Sequence, residues 1–145
     1  MSSAPNPSSS TASTAAIRSI RVSAAVITDR DGRLLLVRKT GTAAFMQPGG
    51  KPEAGEDAAQ ALIRELGEEV GLQLTTEDLV PLGEFTAPAA NEPGFAVVAD
   101  VFRVDIGDQH PVEDAEIEEL RWVDRAAASA LEVAPLAATY FLPER

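Results

Sequence analysis

A short acidic segment carries the residue pattern with the clearest chemical meaning in this chain. It covers residues 49–72, reads GGKPEAGEDAAQALIRELGEEVGL, and places Glu65, Glu68 and Glu69 close together near its end. At roughly 100° per residue, an i, i+3, i+4 spacing puts three side chains on one face of a helix. Grouped carboxylate oxygens are hard ligands that suit Mg²⁺ or Mn²⁺. The spacing therefore indicates either a divalent-cation site or a solvated acidic helix face.

Local physical chemistry opposes this arrangement unless a cation is bound. Like charges four residues apart on a helix repel each other by roughly 0.2–0.5 kcal/mol. The three glutamates also lie toward the predicted helix C-terminus, where the helix dipole disfavours anions. A divalent cation would reverse the sign of the interaction between the carboxylates. Because charge runs on helices are usually solvated surface, the charge pattern by itself leaves both interpretations open.

The acidic segment resembles the Nudix box, G-x5-E-x7-R-E-U-x-E-E-x-G-U, in which U is an aliphatic residue. The residues that match its constrained positions are Gly50, Glu56, Arg64, Glu65, Leu66, Glu68, Glu69, Gly71 and Leu72. The resemblance implies the α/β fold class, specifically the α/β/α sandwich of Nudix proteins with a mixed β-sheet. It also implies a Mg²⁺- or Mn²⁺-dependent hydrolase. Such an enzyme cleaves a diphosphate bond in a nucleoside diphosphate linked to a group X, by attack of water on phosphorus.

The same resemblance implies roles for single residues. The expected metal ligands are Glu65, Glu68, Glu69 and the carbonyl of Gly49. Glu56 and Arg64 are expected to pair and to hold the loop against the helix, so that Arg64 keeps the ligands in place without touching the reaction. The alternative for Arg64 is a surface ion pair with Glu68, four residues further along the helix.

The general base that would deprotonate the attacking water stays open among three sources. Glu53 lies in the loop before Glu56, and a box glutamate such as Glu68 or Glu69 could serve instead. Some family members use an acid on a distant loop, and residues 110–120 supply several. Of these, Glu116 is favoured because it precedes the RWV strand. The acids of this loop could equally be solvated charges.

Few basic or aromatic residues are placed to meet the substrate. Arg38 and Lys39 alternate on a predicted strand, so only one of them can face a pocket. Lys51 directly follows the glycine pair. Trp122 and Phe45 are candidates to stack on a base, although Trp122 on its amphipathic strand is expected mainly in the core. These residues are the candidate substrate contacts.

Length and composition limit the classes of protein that fit. The chain has 145 residues, 45% of them hydrophobic, a net charge of −11 and no cysteine. One domain over residues 16–145 is expected, preceded by a disordered tail over residues 1–15 that is rich in Ser, Ala and Pro. The acidic balance argues against nucleic-acid or anionic-membrane partners, and the lack of cysteine excludes thiolate chemistry. We expect a cytoplasmic protein without a secretory signal or membrane span, whose partner is a small nucleotide or diphosphate substrate, with a homodimer left open.

Hydrophobic patterning predicts the elements that must position the acidic segment. A helix is expected from about Asp57 to Val70, with Gly71 as its C-terminal cap. Residues 125–142 read as helical with a break near Pro135. The sequence DRDG predicts a hairpin between the first two strands, and hence a mixed sheet. Predicted strands cover residues 20–29, 33–39, 79–87, 94–105 and 118–124.

Three rival interpretations can be separated by phosphate release with and without Mg²⁺. A catalytically inactive Nudix-fold module for nucleotide binding or regulation typically lacks box acids, and none is missing here. An isopentenyl diphosphate isomerase on the same fold uses a cysteine, which this chain lacks. An acidic structural domain would not need the complete box. The stretch FMQPGGKPE resembles mutator-type nucleoside triphosphate pyrophosphohydrolases, but the box does not identify the group X.

Overall fold

Seven β-strands and three α-helices make up residues 18–144, the part of the chain that the computed structural model describes. The strands are β1 (Arg18–Val26), β2 (Leu34–Lys39), β3 (Phe45–Met46), β4 (Gly49–Gly50), β5 (Leu79–Pro88), β6 (Phe95–Val104) and β7 (Ile117–Val123). The helices are α1 (Ala58–Val70), α2 (Arg125–Ala128) and α3 (Pro135–Tyr140), and a 3-10 turn covers Thr76–Asp78. None of the helices in this range is long and apolar enough to cross a membrane. The predicted tail of residues 1–15 lies outside the described residues.

The strands form two sheets. The larger sheet has the order β4-β1-β6-β5, and its central pair, β1 with β6, is parallel while its other pairs are antiparallel. The smaller sheet has the order β3-β2-β7 and is antiparallel throughout. The predicted mixed sheet is therefore present, together with a second sheet that the sequence did not separate from it.

The hairpin predicted between the first two strands is only partly correct. The turn itself forms, because Asp29 donates its backbone N–H to the Arg33 carbonyl at 3.0 Å and its carboxylate accepts the N–H of Arg33. Beyond the turn, however, the two strands share one bridge, between Thr28 and Leu34, and then separate. Strand β1 pairs along its whole length with β6, which is distant in sequence, so the non-local pairing overrides the local one.

Helix α1 has the predicted bounds and the predicted caps. Asp57 and Gln60 form a reciprocal capping box at its start, and Gly71 ends it in the left-handed conformation with φ of 70°. Its apolar side chains Leu62, Leu66 and Val70 are fully buried against β1 and the smaller sheet. Each of these buried side chains contributes about 1.5–3 kcal/mol to stability, which fixes the rotation of the helix and thus the direction of its acidic face.

The C-terminal helical region is interrupted over a longer stretch than expected. Pro135 begins α3 and does not break a continuous helix, and residues 129–134 lie between the two short helices. The backbone of this segment pairs with β3, since Phe45 donates to the Glu132 carbonyl and accepts from Ala134, each at 2.8 Å. Hydrogen bonding to a distant strand therefore replaces the helical hydrogen bonds that the composition favours.

Candidate active site

The glycine pair that opens the acidic segment lies directly against helix α1. Gly49 and Gly50 form β4, which pairs with Ala24 and Ser23 of β1. Gly49 has φ of 149°, and a Cβ added there would overlap the carbonyl oxygen of Ser23. A Cβ added at Gly50 would overlap the carboxylate of Glu65. Glycine is therefore required at position 49, where the obstacle is the backbone of β1, whereas at position 50 the Glu65 side chain would have to move aside.

Glu69 is the buried member of the acidic face. It is 6% exposed, and its Oε1 accepts a hydrogen bond from the backbone N–H of Gly49 at 3.1 Å. Burial raises the pKa of Glu69 to about 7, and the neighbouring carboxylates of Glu65 and Glu68 act in the same direction. The Gly49 N–H and the charge of Lys39 oppose this increase in pKa without cancelling it. The acidic face therefore contains a carboxylate that is costly to ionise without a cation.

Arg64 fastens the loop before α1 to the helix. Its Nε and Nη2 donate to the two carboxylate oxygens of Glu56 at 2.7 and 2.9 Å, and Nη2 also donates to the Lys51 carbonyl at 3.1 Å. Glu56 in addition accepts the backbone N–H of Glu53 at 2.8 Å. The hydrogen bonds from Arg64 lower the pKa of Glu56 to about 2. The expected contact between Glu56 and Arg64 is thus present as a two-point pair.

The same guanidinium also contacts two of the candidate ligands. Nη1 of Arg64 lies 3.2 Å from a carboxylate oxygen of Glu65 and 3.3 Å from one of Glu68. The ion pair with Glu68 was the alternative reading of Arg64, and it coexists with the pair to Glu56. Arg64 therefore links the loop to the acidic face and balances part of its charge.

The carboxylates of the acidic face supply suitable donors for a divalent cation, although they do not converge as they stand. Within residues 18–144, no three acidic, histidine or cysteine side chains are gathered so that they could hold a metal ion together. Arg64 draws Glu65 and Glu68 toward itself, while Glu69 turns to the backbone of β4. Since the Glu68 side chain is 56% exposed, its rotamer is free to change. The set fits a hard divalent cation by its oxygen chemistry and by the buried carboxylate of Glu69.

A mostly apolar cleft, open to solvent, lies beside β4. The residues that line it include Val22, Ala24, Lys39, Met46, Gln47, Gly49, Gly50, Val97, Leu136 and Ala137. Pro88, at the end of β5, and Ala90, in the loop that follows, contribute to its lining. Apolar walls with a few polar groups are typical of sites for small organic ligands. The glycine pair is shared by the cleft and the acidic face.

Of the two cations on β2, the structure places Lys39 in the cleft and Arg38 elsewhere. Arg38 donates to the Thr42 carbonyl at 3.0 Å and to Glu119 at 3.3 Å, and its guanidinium lies 5.8 Å from the centre of the Phe45 ring. The alternation of side chains along β2 explains the difference. Lys39, and not Arg38, is therefore the residue of this pair that borders the cleft.

The remaining candidate contacts are distributed between surface and core. Lys51 is exposed immediately after β4. Phe45 is 4% exposed within the smaller sheet's core, so it cannot stack on a bound base, contrary to expectation. Trp122 packs partly against the main core, in agreement with its expected structural role.

The acidic loop of residues 105–116 packs against the C-terminal end of α1. Asp114 donates its backbone N–H to the carbonyl of Glu69 at 3.0 Å, and the carbonyl of Glu116 accepts from Thr40 N–H at 2.8 Å. Residues 105–116 therefore connect the helix C-terminus to the end of β2. The Glu116 side chain is exposed, as is that of Glu53 on the other side of the helix. Neither candidate base is buried.

Two buried polar side chains at the cleft were not singled out from the sequence. Ser23 is fully buried and donates to the Ala58 carbonyl at 2.8 Å. Gln47 is 6% exposed and donates from Nε2 to the Ala25 carbonyl at 3.0 Å. The only signal in the sequence that could have pointed to Gln47 was its position just before the glycine pair.

Comparisons with known proteins agree with this geometry. The sequence profile of the NUDIX domain matches residues 18–143. The 8-oxo-dGTP diphosphatase of Haemophilus influenzae is 37% identical over 73 residues, which are 48% of this chain and 54% of that relative. The ADP-ribose pyrophosphatase of Methanocaldococcus jannaschii is 32% identical over 83 residues, 55% of this chain and 47% of that relative. The alignments thus span about half the length of these two curated relatives.

A solved structure extends the likeness over nearly the whole chain. The solution structure of the E. coli ORF135 protein superimposes with a TM-score of 0.62 at 26% identity, covering 92% of this chain and 87% of that chain. This similarity confirms the predicted α/β architecture.

Proposed function

This chain belongs to the Nudix family, and we propose that it is a metal-dependent hydrolase that cleaves the diphosphate bond of a nucleoside diphosphate linked to a group X. The expected cofactor is Mg²⁺ or Mn²⁺, as members of the family generally use divalent metals. The observation that carries the proposal is the buried carboxylate of Glu69, which accepts a hydrogen bond from the backbone of β4 and whose pKa is raised further by Glu65 and Glu68. Its ionised form requires a positive partner, which the charge of Lys39 supplies only in part, since the pKa of Glu69 stays raised to about 7.

The residues that would hold the cation are the four expected from the family pattern. They are Glu65, Glu68, Glu69 and the carbonyl of Gly49. When bound, a divalent cation screens phosphoryl oxygens and lowers the pKa of a coordinated water. Arg64 and Glu56 position the loop and the helix relative to each other, so they act on the ligands and not on the substrate. The hydrogen bond from the Gly49 N–H to Glu69 holds the backbone of β4 against the acidic face.

The substrate would lie across β4, with its diphosphate at the acidic face and the rest of the nucleotide in the cleft. Lys39 lines the cleft and lies close enough to Glu69 to lower its pKa, so it is the cation placed to meet a phosphate. Lys51, exposed after the glycine pair, could contact the outer phosphate. The apolar walls formed by Val22, Val97 and their neighbours suit the faces of a base.

Glu53 is the carboxylate that we assign first as general base. Its Oε2 lies 3.7 Å from Nη1 of Arg64, on the same charge network as the helix glutamates, and its side chain is 68% exposed. Glu116, beside the end of β2, is the second candidate. Separate Glu53→Gln and Glu116→Gln variants distinguish them, because removal of the base should abolish the lower limb of the pH–rate profile and a bystander should leave it unchanged.

The test of the proposed reaction is turnover of diphosphate compounds with and without metal. We expect hydrolysis of nucleoside triphosphates or other nucleoside diphosphate derivatives to a nucleoside monophosphate with Mg²⁺ or Mn²⁺, and essentially none in EDTA. In ¹⁸O-labelled water the label should enter one specific phosphate product. Full turnover after exhaustive chelation would contradict the metal role, and equal or better turnover of a phosphomonoester would contradict the reaction.

A nucleoside triphosphate is the preferred substrate class to test first. The stretch FMQPGGKPE led to this preference, and the 37% identity to an 8-oxo-dGTP diphosphatase supports it over half of the chain. A panel should also contain oxidised dNTPs, ADP-ribose, NADH, nucleotide sugars and dinucleoside polyphosphates. An ADP-ribose preference over all triphosphates would move the assignment to the class represented by the second relative.

A further inference from the structure

The last turn of helix α1, residues 67–70, carries two of the proposed metal ligands and has little support from its own sequence. It contains Gly67, whose helix propensity is low, and the like charges of Glu68 and Glu69. It has no basic residue to balance the negative end of the helix dipole. The conformation of this turn therefore depends on contacts with other segments of the chain.

The acidic loop of residues 105–116 supplies such contacts through its backbone. The last carbonyls of a helix have no partner within the helix itself. At the end of α1, the carbonyl of Glu69 accepts the N–H of Asp114 at 3.0 Å, and the carbonyl of Val70 accepts the N–H of Val112 at 3.1 Å. The acidic loop thus pairs two carbonyls at the end of the turn that carries the proposed ligands.

Gln109 bridges the acidic loop to the chain that follows α1. Its Oε1 accepts the backbone N–H of Gln73 at 2.8 Å, and its Nε2 donates to the carbonyl of Gln73 at 2.9 Å. Both glutamines are exposed, and only the backbone of Gln73 takes part in these two hydrogen bonds. The side chain of Gln109 alone therefore makes this two-point bridge.

The other end of the acidic loop is fixed beside the cleft. The carbonyl of Glu116 accepts the N–H of Thr40 at 2.8 Å, directly after Lys39, which lines the cleft. Just before Glu116, Ala115 has φ of 52°, and the Asp114 carboxylate accepts its N–H at 2.7 Å. The contacts with α1 therefore lie between two anchors, one at Gln109 and one at Glu116.

We propose that Gln109 is a positioning residue for the metal site, which acts through the acidic loop to hold the last turn of α1 in the conformation that binds a cation. The inference rests on the proposed function, because it requires a divalent cation on Glu68 and Glu69. When the loop leaves the helix, the carbonyls of Glu69 and Val70 lose their partners and the turn frays. A cation bound to this turn should in return keep the loop on the helix, since coupling between two events is reciprocal.

Hydrogen exchange of the Val112 and Asp114 amides in EDTA measures how often the loop leaves the helix. Gln109→Ala removes both hydrogen bonds of the bridge, so exchange of the two amides should become about 5- to 10-fold faster. Gln73→Ala is the matched control, because it truncates an exposed glutamine whose side chain lies outside the bridge. Its exchange should stay within about 2-fold of wild type. Unchanged exchange in Gln109→Ala would overturn the role of Gln109.

Addition of Mg²⁺ separates positioning of the metal ligands from a purely structural bridge. A cation that binds only when the loop is on the helix, at ten times its Kd, should slow exchange of the Asp114 amide about 10-fold in wild type and in Gln109→Ala. The amide of Gly32, bonded to the Asp29 carbonyl in a separate turn, should not respond. A purely structural bridge would leave the loop amides insensitive to Mg²⁺, and that result would overturn the proposal.

The amide of Val101 shows whether the loop opens separately from the rest of the fold. Val101 is 1% exposed in β6, a central strand of the larger sheet, so its exchange reports global unfolding. We expect the Val112 and Asp114 amides to exchange faster than that of Val101. Equal protection would mean that the loop does not leave the helix on its own, and this would overturn the proposal without the need for any variant.

Calorimetric titration with Mg²⁺ and an assay of phosphate release distinguish failure of this inference from failure of the proposed function. Mg²⁺ binding and hydrolysis without a response of the loop amides would overturn the role of Gln109 alone. Slower loop exchange with Mg²⁺, but no hydrolysis of any nucleoside diphosphate derivative, would refute the proposed reaction and leave the positioning role standing.

Discussion

Replacement of Glu69 by glutamine tests how much the ionised, buried carboxylate destabilises the metal-free protein. The side chain is 6% exposed, and burial raises the pKa of Glu69 from 4.5 to about 7. One pKa unit corresponds to about 1.4 kcal/mol. Ionisation of Glu69 at pH 8 should therefore cost the metal-free folded protein up to about 3 kcal/mol relative to the unfolded chain. Glutamine keeps the size and an acceptor for Gly49 N–H but cannot ionise.

The direction of the effect with pH follows from the raised pKa. Between about pH 4.5 and pH 7 the folded protein holds the proton on Glu69 more tightly than the unfolded chain does. The free energy of unfolding of the wild type should therefore contain a term that falls as pH rises through this window. Glu69→Gln lacks this term. In EDTA the variant should match the wild type near pH 4.5 and exceed it by up to about 3 kcal/mol at pH 8.

Urea unfolding followed by the fluorescence of Trp122 measures this difference. Curves for both proteins in EDTA at four pH values between 4.5 and 8 give the free energy of unfolding at each. Glu118→Gln, on the exposed side of β7, removes one negative charge without burial and should show no such pH-dependent gain. The reasoning is refuted if the gain of Glu69→Gln does not grow with pH, or if the variant is the less stable protein at pH 8.

Addition of Mg²⁺ should reverse the comparison. A ligand that binds only the folded state at ten times its dissociation constant adds about 1.4 kcal/mol of stability. We expect this gain in the wild type at pH 8 and little of it in Glu69→Gln, whose turnover should fall by orders of magnitude although it stays folded. Wild-type turnover in the variant, with near-stoichiometric metal binding, would contradict the role of Glu69 as a ligand.

Three further predictions concern the helix, its loop and the tail. Gly67→Ala should raise the free energy of unfolding by roughly 0.5–1 kcal/mol, because a Cβ there meets only the Leu72 carbonyl at an ordinary 3.5 Å, and no other element needs the space. Gly71→Ala, at a positive φ, should lower the free energy of unfolding. Both variants are measured by urea unfolding, and a loss of stability in Gly67→Ala would contradict this reading. Arg64→Lys loses the two-point contact with Glu56. In the wild type, the low pKa of Glu56 means that its ionised form stabilises the fold at neutral pH. This stabilisation is lost as pH falls from about 4.5 toward 2. Acid titration by circular dichroism should show a smaller loss in the variant over that range, and an unchanged curve would mean that the pair contributes nothing. Deletion of residues 1–15 should leave melting temperature and turnover nearly unchanged, and a large decrease in either would mean that the tail docks on the domain.

The features that the sequence determined by itself are those encoded over short distances along the chain. The bounds of α1 follow from Asp57 and Gln60 at its start and Gly71 at its end, and all lie within one helix length. The common face of the three glutamates follows from their spacing, since helical periodicity alone fixes it. The pairing of Glu56 with Arg64 was also predictable, because the family pattern holds both residues within the same segment.

Burial and the direction of side chains depended on partners far away in sequence. Glu68 and Glu69 are adjacent, yet one is exposed and the other buried, because β4 packs against only one side of the acidic face. The selection of Lys39 over Arg38 required knowing which surface of β2 meets the cleft.

The separation of β1 and β2 into two sheets and the burial of Phe45 have the same origin. Strand β1 finds its long partner in β6, and Phe45 is covered by a segment near the C-terminus. The hydrogen bond from Gln47 to the Ala25 carbonyl likewise exists only because β1 lies beside the segment before β4. Spacing along the chain fixes which groups share a helix face. Which of these groups lose water is decided by non-local packing, and desolvation is what raises the pKa of the buried carboxylate of Glu69.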